Sequence, residues 1–246
     1  MNFKEIVKKS HYKDENGVIF LGNCIELIGQ IPNKSINLII ADPPYVISRK
    51  SNFHTMPDRK NSRTGTTFGE WDKEFENEEW IKLCYNKLKN NGSIIIFNDF
   101  KKVTIIYDIC KNVGLEYKDT LIWKKTNPMS RNRNRRYIPD VEMLQWYVKG
   151  KGWIFDRQDE KYESCIKFYP SESRGGFKRY HKTQKPLKLI KDLNQIHSNR
   201  NDIILDPFLG SGTTAIASKE LNRKYIGIEI EEKYCNKSIE RLRDIK

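Results

Sequence analysis

A buried strand that ends in an unusual turn is predicted by the stretch Ile36-Asn37-Leu38-Ile39-Ile40-Ala41-Asp42-Pro43-Pro44-Tyr45. Its first five residues are mostly apolar and rich in β-branched side chains, which is typical of a buried strand. The two prolines end the strand and remove two backbone N–H donors, and pre-proline sterics favour extended conformations at Asp42 and Pro43. The resulting edge offers carbonyl oxygens, a carboxylate and an aromatic ring. It suits a planar base with an exocyclic amine, although a strand that simply ends in a turn fits the same residues.

A second signal lies far downstream, in the run Asp206-Pro207-Phe208-Leu209-Gly210-Ser211-Gly212-Thr213-Thr214. It follows the apolar run Ile203-Ile204-Leu205 and precedes a helical pattern from Thr214 to Leu221. A strand, a glycine-rich turn and a helix form the usual cradle for a nucleotide cofactor, because glycines allow close backbone approach at the helix N-terminus. The next apolar run ends in Glu229, 17 residues after Gly212. A carboxylate at this position can accept both hydroxyls of a ribose.

Together these motifs resemble the amino-group DNA methyltransferases that use S-adenosyl-L-methionine. The motif order, with Asp-Pro-Pro-Tyr first and the glycine-rich turn last, resembles the circularly permuted β-class arrangement. The resemblance is to small adenine-specific (N6) members of bacterial restriction–modification systems, including a Helicobacter type. It covers nearly the whole chain and includes Asn52-Phe53, Phe68-Gly69-Glu70-Trp71-Asp72-Lys73, Asn127-Pro128-Met129, Arg135-Arg136-Tyr137 and Thr183-Gln184-Lys185-Pro186.

The resemblance implies an α/β, Rossmann-like methyltransferase fold with a mostly parallel, twisted sheet and an antiparallel edge. A single methyltransferase domain is expected over residues 1–246. The strands that end at Asp42 and Asp206 are expected to be central neighbours, with Val18-Ile19-Phe20-Leu21 at one edge beside the strand that ends at Glu229. Further strands are expected at 93–97, 115–123 and 141–148, the last two as the antiparallel edge pair. Helices are expected at 78–88 with a stop at Asn91-Gly92, at 102–113, after Pro186 and at 231–243.

Site residues follow from the resemblance, position by position. It assigns catalysis to Asp42, Pro43, Pro44 and Tyr45. It assigns cofactor binding to Asn23, Cys24, Asp42, Thr183, Gln184, Lys185, Asp206, Phe208, Gly210, Ser211, Gly212, Thr213, Glu229 and Ile230. Two positions depart from the family pattern. Asn23 stands where an aspartate is usual, so the bond to the cofactor's adenine amine loses its charge assistance, and Lys182 stands where a proline is usual.

The implied mechanism is a direct, in-line methyl transfer to an exocyclic amine. Asp42 and the Pro43 carbonyl each accept a hydrogen bond from adenine N6, which frees the nitrogen lone pair from the ring. The target base must flip out of the duplex, and Tyr45 can stack on its face. Because the sulfonium already makes the methyl group electrophilic, neither a metal nor a covalent enzyme intermediate is expected.

Two polar segments are candidates for DNA contact. Residues 46–72 show no periodicity and contain Arg49 and Lys50, which favours a mobile loop that closes over DNA, with a solvated surface insertion as the alternative. The target-recognition segment is expected at about 127–182, and it contains four arginines and no acid between residues 131 and 136. The arginines, Arg131, Arg133, Arg135 and Arg136, suit phosphates and guanine edges, although such a run also fits a solvated face.

Composition favours a cytoplasmic protein with a polyanionic partner. The formal net charge of +13 over 246 residues indicates a polyanionic partner, and the resemblance implies double-stranded DNA. The five scattered cysteines lack the spacing of a zinc site or a disulfide framework, which favours a reducing compartment. No stretch is apolar over the length of a membrane span, and no signal-peptide core is found between Met1 and Lys9. A homodimer and a cognate restriction endonuclease are both left open.

Three other functions fit parts of the sequence. An N4-cytosine DNA methyltransferase also activates an exocyclic amine, but the resemblance implies a serine more often than Asp42 in that group. Methyltransferases that act on RNA or on a protein glutamine usually have the opposite motif order. A catalytically silent DNA-binding module is the third alternative, and the presence of Asp42, Gly210 and Gly212 argues against it.

Overall fold

The computed structural model describes residues 7–44, 77–128, 134–135, 137–172 and 184–245. In these ranges, nine strands form one sheet in the order β1-β2-β9-β8-β3-β4-β6-β5-β7. The strands are β1 Tyr12–Lys13, β2 Gly17–Leu21, β3 Ile36–Ala41, β4 Leu88–Asn98, β5 Glu116–Lys125, β6 Val141–Val148, β7 Ile166–Tyr169, β8 Ile203–Asp206 and β9 Lys224–Glu229. The helices are α1 Cys24–Gln30, α2 Asn77–Lys87, α3 Val103–Asn112, α4 Leu187–His197, α5 Thr213–Glu220 and α6 Glu232–Arg243, and a short 3-10 helix spans Phe100–Lys102.

The middle of the sheet is parallel, as the sequence predicts. Strand β3 pairs in parallel with β8 and with β4, and β9 pairs in parallel with β8 and with β2. Strand β6 pairs antiparallel with both β4 and β5. The predicted α/β fold with a mostly parallel sheet is therefore confirmed, and the strands that lead to Asp42 and Asp206 are central neighbours.

Helices cover both faces of the sheet, which explains why β3 is buried along its whole length. Ile39 and Ala41 pack with residues of α1, α2 and α3 in one core cluster. Leu38 and Ile40 point the other way and pack with residues of α4 in a second cluster. A strand between two helical layers needs apolar side chains on both faces, so its sequence shows a continuous apolar run instead of an alternation.

Both expected sheet edges need correction, because a short strand lies outside each. Strand β1 pairs antiparallel with β2, so β2 is not the edge. Strand β7 pairs in parallel with β5, so the antiparallel pair β5–β6 does not close the other side. The sequence gives no clear signal for β7, because this strand has only four residues and neither of its faces is fully buried.

The expected helix stop at Asn91-Gly92 is also wrong. Helix α2 ends at Lys87, and β4 begins at Leu88 rather than Ser93. Leu88 already pairs with Ile36, and the register then shifts before the regular ladder starts. Gly92 fits this irregular stretch because a Cβ there would lie 2.8 Å from the Leu88 side chain and 3.1 Å from a neighbouring backbone oxygen. The absence of a side chain at Gly92 thus permits the close approach of β3 and β4 at this point.

Two expectations fall wholly or partly outside the described residues. The DNA-facing loop at 46–72 is outside them, and the recognition segment at 127–182 is described only at 127–128, 134–135 and 137–172. None of the helices in the described part of the chain has the length and hydropathy that a membrane span requires.

Candidate functional site

Three carboxylates come together at the carboxyl ends of adjacent parallel strands. Asp42 directly follows β3, Asp206 ends β8 and Glu229 ends β9. Asp206 and Glu229 are buried, and the Asp42 side chain is 25% exposed. Burial, together with the negative charges of Asp42 and Glu229, raises the pKa of Asp206 to about 7. Neighbouring acids that resist ionisation favour a positively charged ligand, because a cation relieves their repulsion.

Glu229 organises the glycine-rich turn that follows β8. Its Oε2 accepts a hydrogen bond from Gly210 N at 2.7 Å, and its Oε1 accepts one from Glu231 N at 2.8 Å. Burial, together with the nearby charge of Glu231, raises the pKa of Glu229 to about 7. A carboxylate has about four acceptor positions, so Glu229 can hold the turn and still accept ribose hydroxyls.

The turn itself requires its glycines for two different reasons. Gly212 is the N-cap of α5 with φ of 85°, and a Cβ there would lie 2.6 Å from the Cβ of Ser238 in α6. Gly210 has φ of 55°, but an added Cβ would meet only the Phe208 oxygen, at 3.9 Å. The turn therefore packs tightly on α6 at Gly212 and has open space at Gly210, as a cofactor cradle needs.

Arg241 supports the cradle from α6, a contact that sequence reasoning missed. Its Nη1 donates to the Ser211 carbonyl oxygen at 2.5 Å and lies 3.3 Å from Thr213 Oγ1. Ser211 Oγ also lies 3.4 Å from Gln184 Oε1, which brings the predicted Gln184 beside the turn. No sequence signal distinguishes Arg241, because it belongs to a helix that is rich in charged residues.

The turn at Asn23 also adjoins the cradle, because Gly22 N donates to the backbone oxygen of Glu229 at 2.9 Å. Asn23 Oδ1 accepts a hydrogen bond from Ile25 N at 2.8 Å and caps α1. The expected cofactor acceptor at Asn23 is thus already engaged in a structural bond. Burial raises the pKa of the Cys24 thiol to about 11, so Cys24 is a neutral thiol at neutral pH.

Lys185 contacts the carboxylate of Asp42, for which the sequence predicts a catalytic role. Its Nζ lies 2.7 Å from Asp42 Oδ2 and 3.2 Å from Glu142 Oε2, and the side chain is 8% exposed. Burial alone would lower the pKa of Lys185, but the two carboxylates outweigh it and raise that pKa to about 12. The sequence predicts a cofactor ligand at Lys185, whereas the structure places its ammonium group between two acids.

The remaining predicted residues are distributed as follows. Pro43 is buried, Pro44 is partly buried, and Ile230 and Arg135 are exposed. Phe208 N donates to Asp206 Oδ1 at 2.9 Å, which places Phe208 within the turn. Outside the described residues lie Tyr45, Thr183, Arg49, Lys50, Arg131, Arg133 and Arg136. Within the described residues, no group of three or more His, Cys, Asp or Glu side chains is arranged to hold a metal ion.

The raised pKa of Glu229 predicts a pH-dependent stability difference between the protein and its Glu229→Gln variant. Below the ordinary value of 4.5, the carboxyl is protonated in both folded and unfolded states. Between 4.5 and about 7 the folded state retains the proton and the unfolded state loses it, so rising pH removes stability. We expect the variant to gain stability relative to the parent as pH rises from about 5 to about 8. Urea titrations at several pH values measure this difference, and a pH-independent difference would contradict it.

Comparison with known proteins connects this geometry to a family. The chain matches the N6/N4 DNA methylase family over residues 36–240. It is 35% identical to the type II methyltransferase M.HinfI of Haemophilus influenzae over 266 residues, a match that covers 97% of this chain and 71% of that protein. It is 28% identical to the type II methyltransferase M2.LlaDCHI of Lactococcus lactis subsp. cremoris over 256 residues, covering 96% and 93%.

A solved structure of a protein similar to this chain supports the same family assignment. The crystal structure of the M1.HpyAVI-SAM complex superimposes with a TM-score of 0.73 at 34% identity, covering 92% of this chain and 98% of that one. The family match includes all three carboxylates and the glycine-rich turn. The predicted resemblance to bacterial restriction–modification DNA methyltransferases is therefore confirmed, and the chain belongs to the N6/N4 family of DNA methylases.

Proposed function

We propose that this protein transfers a methyl group from S-adenosyl-L-methionine to adenine N6 within a short site in double-stranded DNA. The observation that carries the proposal is the position of Asp42 and Pro43 beside the glycine-rich turn, at the ends of the neighbouring strands β3 and β8. Ligands of doubly wound sheets bind at this edge. A methyl donor in the turn and a base at Asp42 would thus be adjacent.

The cradle fits the proposed cofactor. S-adenosyl-L-methionine supplies an electrophilic methyl group on a sulfonium and carries an ammonium group as well. Asp206 and Glu229, both buried beside the Asp42 charge, favour such a cationic ligand. Gly210 leaves open space at the turn, and Glu229 presents a carboxylate for ribose hydroxyls. The solved M1.HpyAVI complex with this cofactor supports the assignment.

Asp42 and Pro43 provide the acceptors that an exocyclic amine requires. The amine is a weak nucleophile because its lone pair is delocalised into the ring. Hydrogen bonds to the Asp42 carboxylate and the Pro43 carbonyl draw the nitrogen toward tetrahedral geometry and expose the lone pair. Preorganised acceptors of this kind accelerate a reaction without acting as strong bases. Stacking of the flipped base on Tyr45 stays a prediction, because Tyr45 lies outside the described residues.

Adenine is favoured over cytosine by the residue at position 42. Cytosine-acting members of the family more often carry serine there, whereas this chain has Asp42. The alternative is N4-cytosine methylation, which the family also includes. Incubating mixed genomic DNA with labelled cofactor, followed by modification-aware sequencing, reports the base and its site together. Absence of label in DNA would contradict the proposed function, and label at cytosine would favour the alternative.

The target site is proposed to be read in part by the arginine segment at 131–136. Arg135 is exposed, and so is its neighbour Asn134. If Arg135 contacts a base edge, we expect Arg135→Ala to weaken binding by about 1–3 kcal/mol on the cognate site alone. If Arg135 contacts phosphate, we expect the substitution to weaken the dependence of log binding constant on log salt concentration by roughly one unit of slope, on every sequence.

Titrating parent and variant against cognate and scrambled duplexes at several salt concentrations separates the two cases. Arg200→Ala is the control, since that arginine is exposed and lies outside the expected target-recognition segment. Parent-like binding of Arg135→Ala on both duplexes at every salt concentration would remove Arg135 from the interface.

DNA as the substrate implies a cytoplasmic location for the protein. The type II names of M.HinfI and M2.LlaDCHI support membership of a restriction–modification system. A cognate endonuclease and a homodimer are both left open, and co-purification and light scattering would test for them.

A further inference from the structure

A line of alternating charges connects Asp42 to strand β6. Lys185 Nζ bonds to Asp42 Oδ2 at 2.7 Å and lies 3.2 Å from Glu142 Oε2. Lys125 Nζ then binds the other oxygen of Glu142 at 2.8 Å. The four groups come from different parts of the chain, and the Lys185 side chain at their centre is only 8% exposed. Burial makes such a network costly to form unless every charge is paired.

We propose that Lys185 and Glu142 are positioning residues for the methyl transfer. Lys185 holds the Asp42 carboxylate in place, and Glu142 holds Lys185 and balances its charge. The inference rests on the proposed function, because it assigns Asp42 to the substrate amine. It differs from the expectation that Lys185 binds the cofactor.

The positions of the three residues suit this role. Asp42 follows β3 and Glu142 lies in β6, with β4 between the two strands. Lys185 comes just before α4, and α4 packs on the face of the sheet to which the Phe97 side chain of β4 belongs. Its ammonium lies 4.9 Å from the ring centre of Phe97 in β4 and so spans from β3 to β6. The buried Lys185 side chain thereby fixes the Asp42 carboxylate relative to β4 and β6.

Glu142 is needed because Lys185 alone would oppose the reaction. During transfer, the amine nitrogen would bond to the methyl carbon as the carbon–sulfur bond breaks, so the positive charge passes to that nitrogen, which then releases a proton to Asp42 or to solvent. An unbalanced ammonium beside Asp42 would repel that charge in a poorly solvated site. With Glu142 present, the two cations and two anions of the line balance, whereas without Glu142 the line would carry an excess positive charge. The pair Lys185–Glu142 thus holds Asp42 without cancelling its attraction for the amine.

Removing the cation should reduce turnover but leave donor binding unchanged. We expect Lys185→Met to lower kcat on the order of 10²-fold, the loss that misplacement of a reacting group by about 1 Å produces. Glu142→Gln should lower kcat by about tenfold, because Lys185 stays but is less firmly held. Lys185→Arg should recover part of the loss, since it keeps the charge. The KM for S-adenosyl-L-methionine should stay within about twofold of the parent's in all three.

The pH profile gives a second readout that a purely structural role would not change. Among the described residues, Lys185 just before α4 and Asp206 at the end of β8 face Asp42, and Glu142 of β6 acts through Lys185. Without the Lys185 cation, Asp42 loses the ion pair that favours its charged form, and the negative charge of Glu142 favours its protonation. The acid limb of the kcat profile should therefore move to higher pH in Lys185→Met than in the parent.

Lys191→Met is the matched control, because Lys191 lies in α4 and pairs with Glu220 at the protein surface. It should leave kcat, KM and the pH profile unchanged. A parent-like kcat in Lys185→Met would overturn the proposal, and so would an increase in the KM for the methyl donor at constant kcat, which would make Lys185 a cofactor ligand. If Lys185→Met fails to fold, Lys185→Arg and Glu142→Gln decide by the same readouts. A parent protein that methylates no DNA contradicts the proposed function itself.

Discussion

Replacing Asp42 with alanine is expected to lower the rate of methyl transfer by at least about 10³-fold while leaving the fold intact. The variant retains the Pro43 carbonyl but loses the charged acceptor for the amine. It also leaves Lys185 beside the substrate with only Glu142 to balance it. Both losses act in the transition state, so kcat should fall far more than binding of the methyl donor changes.

Single-turnover kinetics with labelled cofactor measures this loss, and calorimetry measures donor affinity. Asp108→Ala is the control, because that aspartate is exposed on α3, and it should behave as the parent does. Asp42→Asn keeps the shape of the side chain and tests the charge alone. Turnover of Asp42→Ala within tenfold of the parent would exclude Asp42 from the mechanism.

Replacing Gly212 with alanine is expected to destabilise the protein by about 2–4 kcal/mol and to abolish measurable cofactor binding. The residue has φ of 85°, which an L side chain rarely adopts, and the new Cβ would lie 2.6 Å from the Cβ of Ser238. Relief of that overlap must move α6 or the turn. Either movement disturbs the hydrogen bonds that Arg241 and Glu229 make to the turn.

Gly29 provides the matched control for this substitution. It lies in α1, and a Cβ added there would meet nothing within 4 Å. Gly29→Ala should therefore stabilise the protein by about 1 kcal/mol, the helix-propensity difference between the two residues. Urea unfolding and donor calorimetry on both variants check the pair. Normal donor binding by Gly212→Ala would show that the turn tolerates a side chain and would contradict the description of the cradle.

The sheet centre could be predicted because its sequence signals are continuous and long. Strand β3 is buried throughout and almost entirely apolar, and the glycine-rich turn after β8 stands between an apolar run and a helical pattern. Placement of Asp42 next to Asp206, despite the distance between them in sequence, followed from the resemblance and is confirmed by the pairing of β3 with β8. The sheet edges were less predictable, because β1 and β7 have two and four residues and depend on pairing with their neighbours.

The electrostatics of the site could not be predicted from the sequence. The motif predicts that Lys185 matters, but a long flexible side chain can point to the cofactor or to Asp42 with the same backbone. Packing against Phe97 and the charge of Glu142 decide between these directions. Glu142 itself occupies an ordinary position in a strand, and only the order β3-β4-β6 brings it near Asp42. Long-range contacts of this kind leave no local pattern.

Identification of the methylated nucleoside tests the central claim most directly. DNA is incubated with the protein and isotope-labelled methyl donor, digested to nucleosides and analysed by mass spectrometry, with Asp42→Asn as the blank. If the Asp42 edge accepts an adenine amine, the label will appear in N6-methyladenine and will be absent from the Asp42→Asn sample. Label in N4-methylcytosine, or equal label with Asp42→Asn, would contradict the account.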